Sequence, residues 1–144
     1  GLEDIGKHTG VLIVVGDPLT DQPADFGASA ELFVYLGSYA SEAAKNAHFV
    51  FPTTTFAEQE GSYTNVQGRV QRFWPGIRSP GSARPGWLIL GALLAELTEG
   101  DAPASADKAF SQVGEGTPAF GGITYRDLGT RGAPVRTSAG VAGD

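Results

Sequence analysis

The sequence contains no cysteine. Within its 144 residues this absence excludes disulfide bonds, thiolate nucleophiles and the thiolate ligands of iron–sulfur clusters and zinc. Histidine is scarce as well, because His8 and His48 are the only two and neither has a second histidine at the spacing of a ligand pair. We therefore expect no metal site in these residues.

Basic residues and long apolar runs are also few. Ten Lys and Arg residues are scattered among sixteen Asp and Glu residues, and the net charge is −6, so no basic stripe is available for phosphates and we expect no nucleic-acid partner. The longest apolar stretches, residues 11–15 and 88–97, fall short of the roughly 18 residues of a membrane-spanning helix. We expect no insertion into a membrane.

Methionine is absent, and the chain begins at Gly1 without the pattern of a signal peptide. We therefore expect a fragment or a processed form of a longer protein. A chain of 144 residues can form one domain with a substantial core but is too short for two.

Three short, largely apolar runs predict buried parallel strands at residues 11–15, 32–36 and 48–51. The first ends in a Gly-Asp-Pro turn, and we expect it to be a central strand. Residues 41–47 separate the second and third runs as a short Ala-rich helix capped by Ser41. The pattern predicts a right-handed crossover and an α/β fold with a parallel sheet.

The rest of the chain is less regular. Residues 52–85 are rich in Gly and Pro and predict a long irregular loop. Pro85 predicts the start of a helix whose leucines, Leu93 among them, are expected to pack in the core. We place an α/β domain at residues 1–100 and a Gly/Ala/Pro-rich extension with one short helix, 104–113, at residues 101–144. Residues 130–144 are expected to be loosely held.

Candidate catalytic groups are weak. Glu58 and Glu60 are two residues apart in an extended loop, so their carboxylates should point apart rather than act as an acid–base pair. We favour a structural role in which Glu58 accepts backbone N–H groups or pairs with Arg69 or Arg72. No catalytic residue is predicted.

A nucleotide site is favoured by topology alone. Neither GxGxxG nor GxxxxGK[ST] occurs in the sequence. Asp17, Gly37 and Thr53 nevertheless follow the predicted strands, at the end of a parallel sheet where ligands commonly bind.

Two segments carry a family resemblance. Residues 51–73, FPTTTFAEQEGSYTNVQGRVQRF, and residues 80–87, PGSARPGW, resemble a signature of the molybdopterin oxidoreductase superfamily. With the turn at residues 16–18, the resemblance extends over residues 10–98. It implies a Rossmann-like parallel-sheet domain of the molybdopterin oxidoreductase type.

Within that superfamily the chain most resembles the large iron–sulfur subunit of bacterial NADH:quinone oxidoreductase, respiratory complex I. The supporting segments are TTTFAE at residues 53–58, TNVQGRVQ at 64–71 and PAFGGITYRDLG at 118–129. The resemblance implies an electron-transport enzyme and ion translocase whose iron–sulfur clusters lie outside these residues. It also implies a cytoplasmic location at the inner face of the membrane, with other parts of the subunit and of the peripheral arm as partners.

The resemblance also marks positions that concern a cofactor. Members that hold the molybdenum dinucleotide typically have Asn where this chain has Asp17, an acidic residue at Gly37, Lys at Gln59 and Asp at Gly86. Each difference removes a hydrogen-bonding group or reverses its character. We therefore expect no cofactor in this segment.

Five residues of the signature are expected to shape a loop without a ligand: Glu58, Gly61, Asn65, Gly68 and Arg69. The glycines allow positive φ in a tight loop, and the Arg69 guanidinium can fork onto a carboxylate or a row of carbonyl groups.

Two alternative functions stay open. The first is a segment of a formate-dehydrogenase-like or nitrate-reductase-like subunit that helps to bind the dinucleotide. The second is a stand-alone α/β protein-interaction module. A fragment should expose a large apolar patch where its missing neighbours pack, whereas a stand-alone module should be monomeric and two-state in solution.

Overall fold

The computed structural model describes residues 1–136, so the last part of the predicted loosely held tail, residues 137–144, lies outside the described residues. The helices are α1 (Leu2–Gly6), α2 (Gly86–Thr98), α3 (Ala106–Gly116) and α4 (Tyr125–Leu128), with short 3-10 helices at Ala43–Asn46 and Pro118–Phe120. The strands are β1 (Val11–Val15), β2 (Leu32–Gly37), β3 (Phe49–Pro52), β4 (Gly61–Thr64), β5 (Arg69–Phe73) and β6 (Ala133–Pro134).

The chain forms two compact units. The first combines Gly1–Thr55 with Arg78–Ile89, and the second combines Phe56–Ile77 with the described residues from Leu90 onward. The predicted boundary at residue 100 stays a prediction, because compactness does not show which segment folds independently.

The first unit contains the predicted parallel sheet. Strand β2 pairs with β1 on one side, with Ile13 opposite Val34, and with β3 on the other, with Val34 opposite Phe49. The prediction of three parallel strands is confirmed. The prediction that the first run is central is wrong, because the order is β1-β2-β3 and β2 lies in the middle.

Burial of β1 is one-sided, which corrects the expectation of a first strand buried on both faces. In β1, Leu12 and Val14 are buried while the alternating valines and isoleucine are exposed. All residues of β3 are exposed. The buried face packs on residues from both crossovers, and the resulting core consists of Leu12, Val14, Leu19, Phe26, Ala30, Phe33, Tyr35, Ala43 and Ala44.

The crossover between β2 and β3 is shorter in its helical part than predicted. Only Ala43–Asn46 forms a 3-10 helix, where residues 41–47 were expected to be helical. The N-cap is Glu42 rather than the predicted Ser41. Ser41, one residue earlier, accepts a hydrogen bond at its Oγ from the Ala44 N–H at 3.2 Å. The Asn46 side-chain amide donates to the carbonyls of Ala24 (2.7 Å) and Phe26 (3.0 Å), which ties the two crossovers together.

The second unit contains an antiparallel sheet in the order β4-β5-β6. Strands β4 and β5 form a hairpin inside the stretch that was predicted to be irregular. The hairpin was not predicted because β4 has the sequence GSYT, which lacks the apolar alternation of a strand. Its turn is built by Asn65, whose Oδ1 accepts from the N–H groups of Gln67 and Arg69, both at 3.0 Å.

Aromatic side chains and one arginine hold the second unit together. The Phe110 ring lies 5.3 Å from the Tyr125 ring between centroids. The Arg72 guanidinium lies 4.7 Å from the Trp74 ring and 4.8 Å from the Tyr125 ring, and its Nε donates to Glu60 Oε1 at 2.6 Å. Cation–π stacking and the ion pair together fix this arginine against α4.

Helix α2 begins directly after Pro85, as predicted, but its expected burial is wrong. No residue of α2 is buried, and Leu93, Leu94 and Leu97 are 41%, 56% and 74% exposed. Apolar side chains lie on more than one face of this helix. Burying all of them would therefore require neighbouring elements on more than one side. None of the helices formed by residues 1–136 has the length and apolar character needed to cross a bilayer.

The C-terminal extension is more regular than predicted. The expected helix at residues 104–113 corresponds to α3, whose N-cap Ser105 accepts from the Lys108 N–H at 3.2 Å. Helix α4 was not predicted, although Thr124 and Asp127 form a capping box that marks its start.

Candidate functional site

The candidate site lies where the parallel strands β1 and β2 end. Gly16, with φ of 90°, turns the chain after β1 and presents Asp17 toward the end of β2. Asp17 Oδ1 accepts hydrogen bonds from the Tyr35 hydroxyl (3.0 Å) and from the N–H groups of Ser38 (2.9 Å) and Tyr39 (3.1 Å). Its Oδ2 accepts from the Ser38 hydroxyl at 2.6 Å. One carboxylate therefore gathers the donors of the loop that follows β2.

The electrostatics of this cluster favour an ionised Asp17 beside a neutral Tyr35. Partial burial alone would raise the pKa of Asp17, but the hydrogen bonds from Ser38, Tyr35 and Tyr39 outweigh it and lower the pKa below its ordinary value of 3.8. Burial, together with the hydrogen bond to Asp17 and its negative charge, raises the pKa of Tyr35 to about 12. At neutral pH the Tyr35 hydroxyl is therefore a donor.

Position 37 needs a glycine because the Tyr35 side chain lies close to it, and not because its backbone has positive φ. A Cβ at position 37 would collide with the hydroxyl and ring of Tyr35. The acidic side chain that the family resemblance places at this position in dinucleotide-holding members would therefore require the Tyr35 hydroxyl to move from its present position beside Asp17. The differences at positions 17 and 37 are coupled through Tyr35.

A cavity of about 410 Å³ opens beside this cluster. Its lining includes Ser38, Ser41, Lys45, Val50 and Pro52. The ammonium group of Lys45 forms an ion pair with Glu42, with Nζ–Oε distances of 2.6 and 2.7 Å. The cation that lines this cavity therefore already has a carboxylate partner.

The residues at the strand ends do not fit a phosphate-bearing cofactor. An anion bound in such a loop is normally held by backbone N–H groups and hydroxyls. Here the N–H groups of Ser38 and Tyr39 and the hydroxyl of Ser38 all donate to Asp17. A phosphate would have to displace an internal carboxylate, and an ionised Asp17 beside it would repel it.

The other two positions that concern a cofactor are Gln59 and Gly86. Gln59 is partly buried in the second unit. Gly86 is the first residue of α2, and a Cβ added there would have no atom within 4 Å. Within residues 1–136, no three His, Asp or Glu side chains converge in the way that a metal site requires.

The predicted structural loop forms the turn and flanks of the β4–β5 hairpin. Gly68 has φ of 69°, and its carbonyl accepts from the Val135 N–H at 2.7 Å. Arg69 Nη1 donates to the carbonyls of Gly132 (2.8 Å) and Arg131 (3.4 Å). These bonds join the signature segment to the C-terminal extension.

One detail of that loop differs from the expectation. Gly61 does not have positive φ, and its small size is needed instead because a Cβ there would lie 2.6 Å from the Phe73 ring. Arg72 forms an ion pair with Glu60, and the role predicted for Glu58 stays a prediction. Glu58 itself is partly buried in the second unit.

Sequence reasoning missed Tyr35 and Ser38. Tyr35 was counted as one more apolar residue of a strand, although a tyrosine inside a buried run needs a partner for its hydroxyl. The available signal was that an acidic residue follows the neighbouring strand, at Asp17.

Parallel strands with both crossovers on one face define an α/β domain, and the comparisons with known proteins give its family. The model of the molybdopterin oxidoreductase family matches residues 5–96. The chain belongs to the molybdopterin oxidoreductase family, as the resemblance predicted. The Rossmann-like character of the sheet stays a prediction.

Its curated relatives include several kinds of oxidoreductase. The chain is 30% identical to the F420-dependent formate dehydrogenase 2 subunit alpha of Methanococcus maripaludis, over 91% of this chain and 21% of the relative. It is 36% identical to the NADPH-Fe(3+) oxidoreductase subunit alpha of Geobacter sulfurreducens, over 78% and 13%. It is 32% identical to an NADH-quinone oxidoreductase subunit of Rhizobium meliloti, over 86% and 15%. The chain thus spans about a fifth or less of the length of these relatives.

Proposed function

We propose that this chain is a structural, cofactor-free portion of the large peripheral-arm subunit of NADH:quinone oxidoreductase. In this proposal the enzyme passes electrons from NADH through iron–sulfur clusters to quinone at the cytoplasmic face of the membrane. The clusters are held elsewhere in the subunit, because a chain without cysteine offers no thiolate ligand. The other parts of the subunit and of the peripheral arm are the partners of this portion.

One observation carries the proposal: Asp17 occupies the hydrogen-bond donors that a cofactor phosphate would need. A carboxylate has acceptors only, so it cannot donate to a phosphate or a purine acceptor as an amide can. Its charge is stabilised by two N–H groups and two hydroxyls. The strand-end loop is therefore closed by an internal anion.

The relationship to the NADH-quinone oxidoreductase subunit of Rhizobium meliloti supports the choice of enzyme. The closing segment at residues 118–129 supports it as well. Its Tyr125 packs against Arg72, which directly follows the supporting segment at residues 64–71.

A second candidate is a portion of a formate-dehydrogenase-type subunit that helps to bind the molybdopterin dinucleotide. It is favoured by the match to the formate dehydrogenase subunit of Methanococcus maripaludis over 91% of the chain. In this candidate the loop after β2 would have to release Ser38 and Tyr39 from Asp17 before their N–H groups could bind a phosphate.

The test is metal and nucleotide analysis of the full-length polypeptide that contains these residues. We expect iron but no molybdenum or tungsten, and no bound guanine nucleotide after denaturation and chromatography. Calorimetric titration of the chain with GDP at low salt should show no saturable binding tighter than about 10 μM, which is about 7 kcal/mol of binding free energy. Stoichiometric molybdenum or tungsten together with a guanine nucleotide would establish the second candidate instead.

A further inference from the structure

Both crossovers of the parallel sheet lie on one face. Leu19, Phe26 and Ala30 come from the first crossover, Ala43 and Ala44 from the second, and all five belong to the same core cluster. This follows from the strand order, because right-handed crossovers that advance in one direction, from β1 to β2 to β3, must lie on the same side of the sheet.

The opposite face is apolar, and it is open along β1 and β3. Val11, Ile13 and Val15 of β1 are 58%, 47% and 50% exposed, and Phe49 and Phe51 of β3 are 57% and 41% exposed. In β2, between these two rows, Val34 is half-buried and Leu36 is buried. The strand residues that form this face are uncharged. Parallel sheets are covered on both faces in folded proteins, so an apolar face of this kind indicates a missing layer.

The outer edge of β1 is open as well. Within residues 1–136, β1 pairs with β2 alone, and its sequence VLIVV has no lysine, proline or other device that protects an edge strand. The other edge of the sheet is protected at its end, because the Arg84 N–H donates to the Pro52 carbonyl and the Arg84 carbonyl accepts from the Thr54 N–H, both at 3.1 Å. The open edge and the open face therefore meet at β1.

We propose that a strand and an amphipathic helix from the same polypeptide, outside these residues, dock here. The strand pairs in parallel with the outer edge of β1, and the helix covers Val11, Ile13, Val15, Phe49 and Phe51. The two present crossovers advance from β1 toward β3. A right-handed crossover that advances in the other direction, to a strand on the outer side of β1, has its helix on the opposite face of the sheet. That face is the open one. This inference rests on the proposed function, in which the chain is one portion of a larger subunit.

The dimensions and the size of the relatives fit this occupant. Three strands spaced about 4.8 Å apart place the outer strand axes roughly 10 Å apart, and a helix with its side chains is about 10–12 Å across. One helix therefore covers the open face. The curated relatives are several times longer than this chain, so they contain ample further polypeptide.

A second copy of the chain fits the site less well. A two-fold dimer formed through β1 would pair the two edges antiparallel. Such pairing would satisfy the edge, but it would bring no helix onto the open face.

The experiment uses engineered thiols in the full-length polypeptide. Because these 144 residues have no cysteine, the peptide that contains Ile13→Cys reports on the face alone. Asp21→Cys, at an exposed position of the first crossover, is the matched control, and Phe49→Cys on β3 repeats the measurement should Ile13→Cys fail to fold. Alkylation rates are read by mass spectrometry of each peptide.

We expect alkylation at positions 13 and 49 of the native full-length polypeptide to be at least about 100-fold slower than at position 21, and the three rates to be equal after unfolding in urea. A photo-crosslinking phenylalanine analogue at Phe49 should capture a peptide of the same polypeptide from outside residues 1–144.

Three results would overturn the inference: alkylation at position 13 as fast as at position 21, crosslinking to a different protein, or crosslinking of two copies through position 49. Each of these is independent of the metal and nucleotide analysis. A cofactor-free polypeptide with an open face would contradict this inference but not the proposed function. A molybdenum-containing polypeptide with a covered face would contradict the proposed function but not this inference.

Discussion

The hydroxyl of Tyr35 lies 3.0 Å from Oδ1 of Asp17, which joins a residue inside β2 to the turn that follows β1. The same hydroxyl lies 2.7 Å from the Tyr39 carbonyl, so its proton is shared between two acceptors. Asp17 in turn holds the loop after β2. A substitution at any of these residues should therefore alter the structure at the ends of both β1 and β2.

The first prediction concerns the charge of Asp17. Asp17→Asn keeps one acceptor but replaces Oδ2, which accepts from the Ser38 hydroxyl, by an amide group. Hydrogen bonds to a charged group contribute roughly 1.5–3 kcal/mol when shielded, and the exposure of this carboxylate reduces that value, so we expect a loss of about 1–2 kcal/mol in the free energy of unfolding. Urea denaturation measures it. Asp21→Asn, on an exposed position of the same crossover, should change stability by less than about 0.5 kcal/mol.

The second prediction is the pH dependence of that contribution. The folded-state pKa of Asp17 is lowered below 3.8, so the folded protein binds this proton less readily than the unfolded chain. The stability that Asp17 contributes is therefore fully present above pH 3.8 and is lost as the pH falls through the folded-state pKa. The stability difference between the wild type and Asp17→Asn should shrink in that acidic range. A difference that stays constant from neutral pH down to about pH 2 would contradict the assignment.

The strands of the first unit could be predicted from sequence because each is a short apolar run with a turn beside it. The order of the strands could not, because periodicity does not show which strand has two neighbours. One-sided burial was missed for a related reason: a run that is apolar throughout is typical of a strand covered on both faces, and the open face of β1 has the same sequence character.

The site was predicted in part. Asp17 and Gly37 were placed correctly at the strand ends, where topology puts them. Their partners could not be predicted, because the bonds from Ser38 and Tyr39 connect residues more than 20 positions apart in sequence. Asp17 proves to be the common acceptor of donors from Tyr35, Ser38 and Tyr39.

The third prediction tests the steric coupling of Gly37 with Tyr35. A methyl group at Gly37 would collide with the Tyr35 hydroxyl and ring, and the ring is fully buried in the core and has little room to move. We expect Gly37→Ala to lower the free energy of unfolding by about 1–3 kcal/mol, as overpacking of a core typically does. Gly86→Ala is the control, since a Cβ there meets no atom within 4 Å and alanine favours the helix that starts at this residue. Equal effects of the two substitutions would show that Tyr35 does not restrict position 37.

The last prediction follows from the exposed leucines of α2. Sequence periodicity places Leu93 in a core, where Leu93→Asp would bury an unpaired charge and cost several kcal/mol. At 41% exposure the new carboxylate instead reaches water in the 144-residue chain. What it loses is helix propensity, about 0.5 kcal/mol, and a further few tenths from repulsion by Glu96 one turn away. With the partial loss of apolar contact, the total should be about 1–1.5 kcal/mol.

The control for that prediction is Leu128→Asp, in the same unit. Leu128 is 1% exposed, so a charge at this position has no access to water and should cost about 4 kcal/mol or more. Urea denaturation of both variants of the 144-residue chain decides between the two environments. A loss for Leu93→Asp as large as that for Leu128→Asp would mean that α2 is covered in solution. A small loss in this chain, together with a large loss for the same substitution in the full-length polypeptide, would show that α2 packs against neighbours supplied by the rest of that polypeptide.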